Sequence, residues 1–127
     1  MHNAPRLTPD GRIPAVLIHP DDARAVGLDV DAGNQLRIES ASGAIVMAAR
    51  VTDEVAPGVI AVPHGWGHAG GWRRANAAGG ANANMLTSPE PEDIERLAGM
   101  SIISGIPIRI SAVSASEEAA AEQFVVR

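Results

Sequence analysis

At 127 residues the chain is long enough for one domain with a single modest core, and with 2% aromatic residues that core must be built from Val, Ile, Leu, Met and Ala. The absence of Cys excludes disulfides and thiolate metal sites; the net charge of −5, with the ten cationic residues all Arg and scattered apart from Arg73-Arg74, argues against a nucleic-acid groove. No apolar run approaches the ~20 residues of a membrane helix and no signal-peptide core is recognisable, so a soluble, cytoplasmic protein that touches no membrane is expected.

Residues 1–14, MHNAPRLTPDGRIP, are rich in turn formers and are expected to cross the surface. A short apolar strand is predicted over 15–19, and it feeds a helix at HPDDARAVGL. Pro20 suits the first helical turn because its missing N–H has no partner there, and Asp21 and Asp22 complement the positive end of the helix dipole. Gly27 supplies the left-handed residue that stops the helix, with Leu28 folding back onto it. Leu36 and Ile38 then alternate with Arg37 and Glu39, the period of a half-buried strand. A Ser-Ala-Ser-Gly turn at 40–43 leads to a second strand in which Ile45, Met47, Ala49 and Val51 share a face. After a turn over 53–58, the uninterrupted apolar run Val59–Val62 reads as a central strand. The stretch from Pro63 to Pro89 is different in kind: it is dense in Gly and Asn and holds both Trp residues and two His, the composition of an ordered functional loop or a floppy one. Residues 90–98, EPEDIERLA, are predicted to form a second short helix ended by Gly99, and 106–110 a strand that cannot be fully paired at Pro107. The segment 114–127 is helix-prone or disordered, apart from the 1–113 domain.

An internal comparison suggests how these parts are arranged. Residues 27–38, GLDVDAGNQLRI, align without a gap on 99–110, GMSIISGIPIRI, with Gly27/Gly99, Gly33/Gly105, Arg37/Arg109 and Ile38/Ile110 identical. The domain is then two copies of a helix, glycine turn and strand unit related by a pseudo-twofold, and a small closed barrel of two interlocked halves is the simplest architecture that removes sheet edges.

The residues also permit bland readings. Asn82 and Asn84 can occupy left-handed turn positions; Trp66 can anchor its loop or wall a pocket; Arg73 and Arg74 can meet a pyrophosphate or simply face water. His64 and His68 are four apart, yet the glycines between them oppose the helix that would bring both rings to one face, and no third ligand lies nearby, so no metal site is assigned.

HPDDARAVGL, the Gly turn and strand, SGAIVMAARVTDEVAPGVIAVPHGWG, GGANANMLT and GIPIRI together resemble the C-terminal molybdopterin-dinucleotide-binding domain of the molybdenum and tungsten bis-pterin oxidoreductases, which include formate dehydrogenases, nitrate reductases and dimethyl sulfoxide reductase. The resemblance covers residues 1 to about 112. It implies a mainly β fold, a six-stranded double-psi β-barrel of the aspartate-decarboxylase-like type with two short helices, whose end loops clamp a molybdopterin guanine dinucleotide carrying Mo or W. Asn84, in Asn-Met-Leu-Thr, matches an Asn-x-Leu-Thr element whose Asn faces the cofactor, and Thr87 adds a hydroxyl. An amide suits a pterin or guanine edge, which offers donors and acceptors side by side. Asn82 and the backbone at Gly79 and Gly80 belong to the same region, and His64, Gly65, Trp66, Gly67 and His68 occupy the loop that lies beside the cofactor in family members.

His2 and Asn3, in Met1-His2-Asn3, resemble the end of a longer Asn-Ser-Trp-Met-His-Asn element whose first half, with the preceding barrel strand, is missing, and Ser104 stands where many relatives carry a basic or bulkier residue. The resemblance thus implies a cofactor-binding domain present as a fragment or small subunit, formate-dehydrogenase-like and not catalytic alone, with a large oxidoreductase partner that supplies the metal ligand and substrate channel. A separate small barrel subunit of this kind is similar to the arrangement in formylmethanofuran dehydrogenase. The alternative is a truncated barrel that has lost its cofactor and serves as an interaction module, docking on a protein partner or dimerising through its open edge with Phe124-Val125-Val126 as the exchanged strand.

Overall fold

The computed structural model describes residues 14–28, 35–68 and 73–113. The chain is mainly β, with five strands among the described residues: β1 (Val16–Ile18), β2 (Gln35–Glu39), β3 (Ala44–Val51), β4 (Ile60–Ala61) and β5 (Arg109–Ala112). They form one sheet in the order β4-β1-β3-β2-β5. β1 runs parallel to β3, so the connection through helix α1 (Pro20–Ala25) and β2 crosses over before β3 returns to β1, while the other pairs are antiparallel.

Helix α1 forms for the reasons its sequence predicts. Pro20 opens it, and His19 caps it by accepting the Asp21 N–H at Nδ1, 3.1 Å away. Gly27 ends it at φ +67°, where a side chain is disfavoured, and the Leu28 N–H returns to the Ala23 carbonyl at 2.9 Å. Ala23 and Leu28 thereby enter the core, and Asp22 ties the helix to the next turn by accepting the Gly58 N–H at 2.7 Å. The strand alternation also holds: Leu36 and Ile38 of β2 are fully buried beside Ile45 and Met47 of β3, and Val16 and Ile18 of β1 join them in an aliphatic cluster.

Three expectations change. The run Val59–Val62 is not a central strand: its two-residue strand β4 lies at the end of the sheet order, and Val59 is 54% exposed. The run is apolar throughout because Ile60 and Val62 pack on the core and all four of its residues line a groove. The final strand begins at Arg109 instead of Ile106, so Pro107 falls outside the pairing. The helix expected over 90–98 is a 3₁₀ turn, Pro91–Asp93, followed by a hairpin-like loop closed by an Ile94–Ser101 bridge.

The repeat explains why the second helix fails. β2 and β5 pair antiparallel with Ile38 opposite Ile110, so a local twofold through this pair relates the two strands at their aligned positions. Gly99 has φ +67°, the same as Gly27. Extending the alignment by four residues places Glu95 opposite Ala23. Ala23 is 1% exposed and seats α1 on the sheet. Glu95 cannot be buried there, and its carboxylate instead accepts the Leu97 and Ala98 N–H groups at 2.9 and 2.6 Å, competing with helical pairing.

Beyond the sheet, α2 (Arg73–Ala77) and a 3₁₀ turn over Ala83–Leu86 fall within the Gly- and Asn-rich stretch, which is therefore partly helical. The Gly33 turn, residues 1–13 and the 114–127 segment, including the Phe124–Val126 strand proposed for exchange, lie outside the described residues.

Candidate functional site

Ile60 of β4 and Ile108, one residue before β5, sit at opposite ends of the sheet order yet line one groove of about 620 Å³, which shows that the sheet is curled. Ile38 forms part of its floor, and Leu86 and Ile103 contribute further apolar surface. The polar side chains His64, Asn84, Thr87 and Ser104 also face it. Among the described lining residues only His64 is ionisable, and none is Arg, Asp or Glu.

The Asn84 backbone is held from three directions. Asn82 caps the 3₁₀ turn, its side-chain oxygen accepting the Asn84 N–H at 3.1 Å. The Asn84 carbonyl accepts the Thr87 hydroxyl at 2.8 Å and the Thr87 N–H at 3.2 Å. Leu86, 5% exposed, anchors the turn in the core. The Asn84 side chain is exposed, and its Oδ1 lies 2.8 Å from Nε2 of His64. With the amide oxygen as acceptor in this contact, the ring nitrogen is the donor, which is the Nε2–H tautomer of His64.

Of the residues singled out from the sequence, His64, Asn84 and Thr87 converge on the groove. Asn82 stands behind them as the cap. Gly65 takes φ +88° and leads to Trp66, which is 7% exposed and is not among the groove-lining residues. Gly80, at φ +89°, packs where a Cβ would come 2.7 Å from the Pro14 ring and 3.1 Å from the Trp66 side chain. His68 and Gly79 do not line the groove, and Arg73 is exposed. His2 and Asn3 lie outside the described residues.

Two glycines position the site through close backbone packing: Gly67, which the sequence placed in the loop beside the cofactor without giving it a role of its own, and Gly43, which was not chosen from the sequence. A Cβ on Gly67, at φ +66°, would lie 2.5 Å from the Ala81 Cα and 2.6 Å from the Asn82 nitrogen, so the loop after β4 presses directly on the backbone that caps the 3₁₀ turn. A Cβ on Gly43 would lie 2.6 Å from the Met85 carbonyl oxygen, bringing the β2–β3 turn against the same element. The apolar walls were also missed as site residues; the unbroken run Val59–Val62 was the available signal, because an outward-facing apolar residue on an edge strand needs something to cover it.

The arrangement suits a planar, uncharged heterocycle: apolar walls to pack against its faces, and a short polar rim of His64, Asn84 and Thr87 to read its edge. Among its described lining residues no cation faces the groove. Among the described residues no three His, Asp or Glu side chains are placed to hold a metal ion, and no helix is long and apolar enough to cross a membrane.

Comparison with known proteins now places the chain. A search of curated proteins finds no match. Among solved structures, acetylene hydratase from Pelobacter acetylenicus resembles it with a TM-score of 0.60 and 22% identity over 77% of this chain and 14% of that one, a likeness of fold. The chain therefore spans about one-seventh of that structure's length. The family described as Molydopterin dinucleotide binding domain matches residues 1–101, which include the groove's polar rim and most of its walls. The chain belongs to the molydopterin dinucleotide binding domain family.

Proposed function

We propose that this chain binds and positions molybdopterin guanine dinucleotide, carrying Mo or W, as the C-terminal domain or small subunit of a formate-dehydrogenase-like oxidoreductase in the cytoplasm. The observation that carries the reading is the convergence of His64, Asn84 and Thr87 on one rim of an apolar groove in a chain of this family. The groove residues fit a pterin or guanine ring and leave the phosphates outside. When bound, the cofactor supplies a dithiolene that holds the redox metal. The chain's own residues pack the ring faces, hydrogen-bond its edge and keep water from it. Ile38 and Leu86 supply the dry surface, Asn84 and Thr87 the edge contacts, and Asn82 the cap that holds Asn84 in place.

The substrate channel and the ligand to the metal fall to a larger catalytic partner or to the rest of a longer chain, in keeping with the one-seventh of acetylene hydratase that this fold covers. In this reading the curled sheet is part of a six-stranded double-psi barrel. His2, Asn3, Gly65, Trp66 and Gly80 are proposed to extend the cofactor surface beyond the rim. Family membership favours this reading over a cofactor-free interaction module, and homodimerisation through the sheet edge is not needed for it.

Isothermal calorimetry with guanine nucleotides and with the extracted dinucleotide tests the proposal. Saturable binding that Asn84→Ala weakens is expected. A folded wild-type chain that binds neither ligand overturns it.

A further inference from the structure

Asn84 can present either end of its amide to a ligand, and which end it presents decides what the site reads. Its backbone is fixed by the Asn82 cap and by Thr87, so the remaining freedom is rotation of the side chain. The 2.8 Å contact from His64 Nε2 to Asn84 Oδ1 biases that rotation: in the Nε2–H tautomer the ring N–H engages the oxygen and leaves the NH₂ group as the amide's uncommitted end. Thr87 is restricted in the opposite sense. Its single hydroxyl proton goes to the Asn84 carbonyl at 2.8 Å, so toward a ligand it offers only lone pairs. The rim of the groove thus presents a donor at Asn84 beside an acceptor at Thr87.

We infer that His64 is a positioning residue that orients the Asn84 amide so that the groove selects a lactam edge, a ring carbonyl adjacent to a ring N–H, over the reversed pattern of adenine. Guanine, hypoxanthine and the pterin ring all carry such an edge: the carbonyl meets the Asn84 NH₂ and the ring N–H meets the Thr87 oxygen. This rests on the cofactor-binding reading above and deepens it, because it names the edge that is read and the residue that sets the reading. Removing His64 frees the amide to turn and present its oxygen, so selectivity falls while the groove remains.

The test has two arms that fail separately. The first is the tautomeric state of His64 in the free chain, from ¹⁵N chemical shifts of the labelled ring. A protonated Nε2 is expected at neutral pH; a neutral ring protonated on Nδ1 alone overturns the orientation of Asn84, whatever the chain binds. The second compares binding of GMP, IMP, AMP and 2-aminopurine riboside monophosphate to wild type, His64→Ala and His64→Gln. Wild type should prefer GMP and IMP to the other two by about tenfold or more, the worth of one matched hydrogen bond over a mismatched one. His64→Ala should lose that preference, and His64→Gln, whose amide N–H can still donate to Asn84, should retain it. Binding of all four nucleotides without preference by wild type, or an undiminished preference in His64→Ala, overturns the inference and leaves the cofactor reading standing. No binding of any of them by a folded wild type overturns the selectivity together with that reading.

Discussion

Replacing Gly67 by Ala probes how the loop after β4 holds the site. Two costs add. The first is conformational: at φ +66° an L-residue is disfavoured relative to glycine by about 1 kcal/mol. The second is steric, since the new Cβ would sit 2.5 Å from the Ala81 Cα and 2.6 Å from the Asn82 nitrogen. Both neighbours are backbone, so relief requires the two segments to part by roughly 1 Å, and overpacking of this kind costs about 1–3 kcal/mol. The total is about 2–4 kcal/mol. Gly79→Ala is the control, because Gly79 takes a similar φ of +75° but has nothing within 4 Å of its Cβ position. It should cost only the conformational part, about 1 kcal/mol. Urea unfolding of both variants measures the difference, and ligand titration reads its consequence: parting the loops displaces the Asn82 cap, so Gly67→Ala should also weaken binding at Asn84 whereas Gly79→Ala should not. Equal destabilisation by the two substitutions would refute the argument that close backbone packing at Gly67 sets the site.

Leu36→Ala removes a fully buried side chain from the core of β2 and should cost about 2–5 kcal/mol in urea unfolding, severe for a domain of this size. Asn82→Ala deletes the cap on the Asn84 N–H and should cost about 1 kcal/mol, with a larger loss of nucleotide affinity than of stability in calorimetry. The Glu95 carboxyl is held below the usual glutamate range by hydrogen bonds from the Leu97 and then the Ala98 N–H groups. The folded value thus lies below the unfolded one, so the contribution is complete above the ordinary glutamate value of about 4.3 and is lost as pH falls through the depressed value. Amide exchange at Leu97 and Ala98, corrected for intrinsic rates, should show less protection below that value and in Glu95→Gln at any pH; protection that does not change would remove this carboxylate from the account of the loop.

Much of the first half of the domain was legible because its determinants are local. The Pro20 start, the Gly27 stop and the alternation through β2 and β3 each depend on residues within one turn or one strand, and the structure reproduces them. The repeat was legible too, and the pairing of Ile38 with Ile110 gives it a geometric meaning. The same locality misled at 90–98. Acids before a helix and a glycine after it are present in both copies, but a six-residue helix draws its stability from the face it buries. That face holds Ala23 in the first copy and Glu95 in the second. The signals at the ends agreed, and one buried position separated a helix from a loop.

The site divides along the same line. From the residues themselves came the chemistry on offer: an amide at Asn84, a hydroxyl at Thr87, an imidazole at His64, and glycines where backbone must approach backbone. Their types and order also carried the family resemblance. Which of them face one groove was decided by tertiary structure. His64 follows the strand at one end of the sheet and Asn84 sits twenty residues later on a 3₁₀ turn, and Gly67 lets the loop after β4 press against Ala81 and Asn82 beside that turn. The place of Val59–Val62 was decided in the same way, since an apolar run tells that both faces are covered but not whether by strands or by the wall of a groove. Local pattern records what each residue can do with its neighbours in the chain; hydrogen-bond partners and groove walls drawn from distant segments exist only once the sheet has brought those segments together.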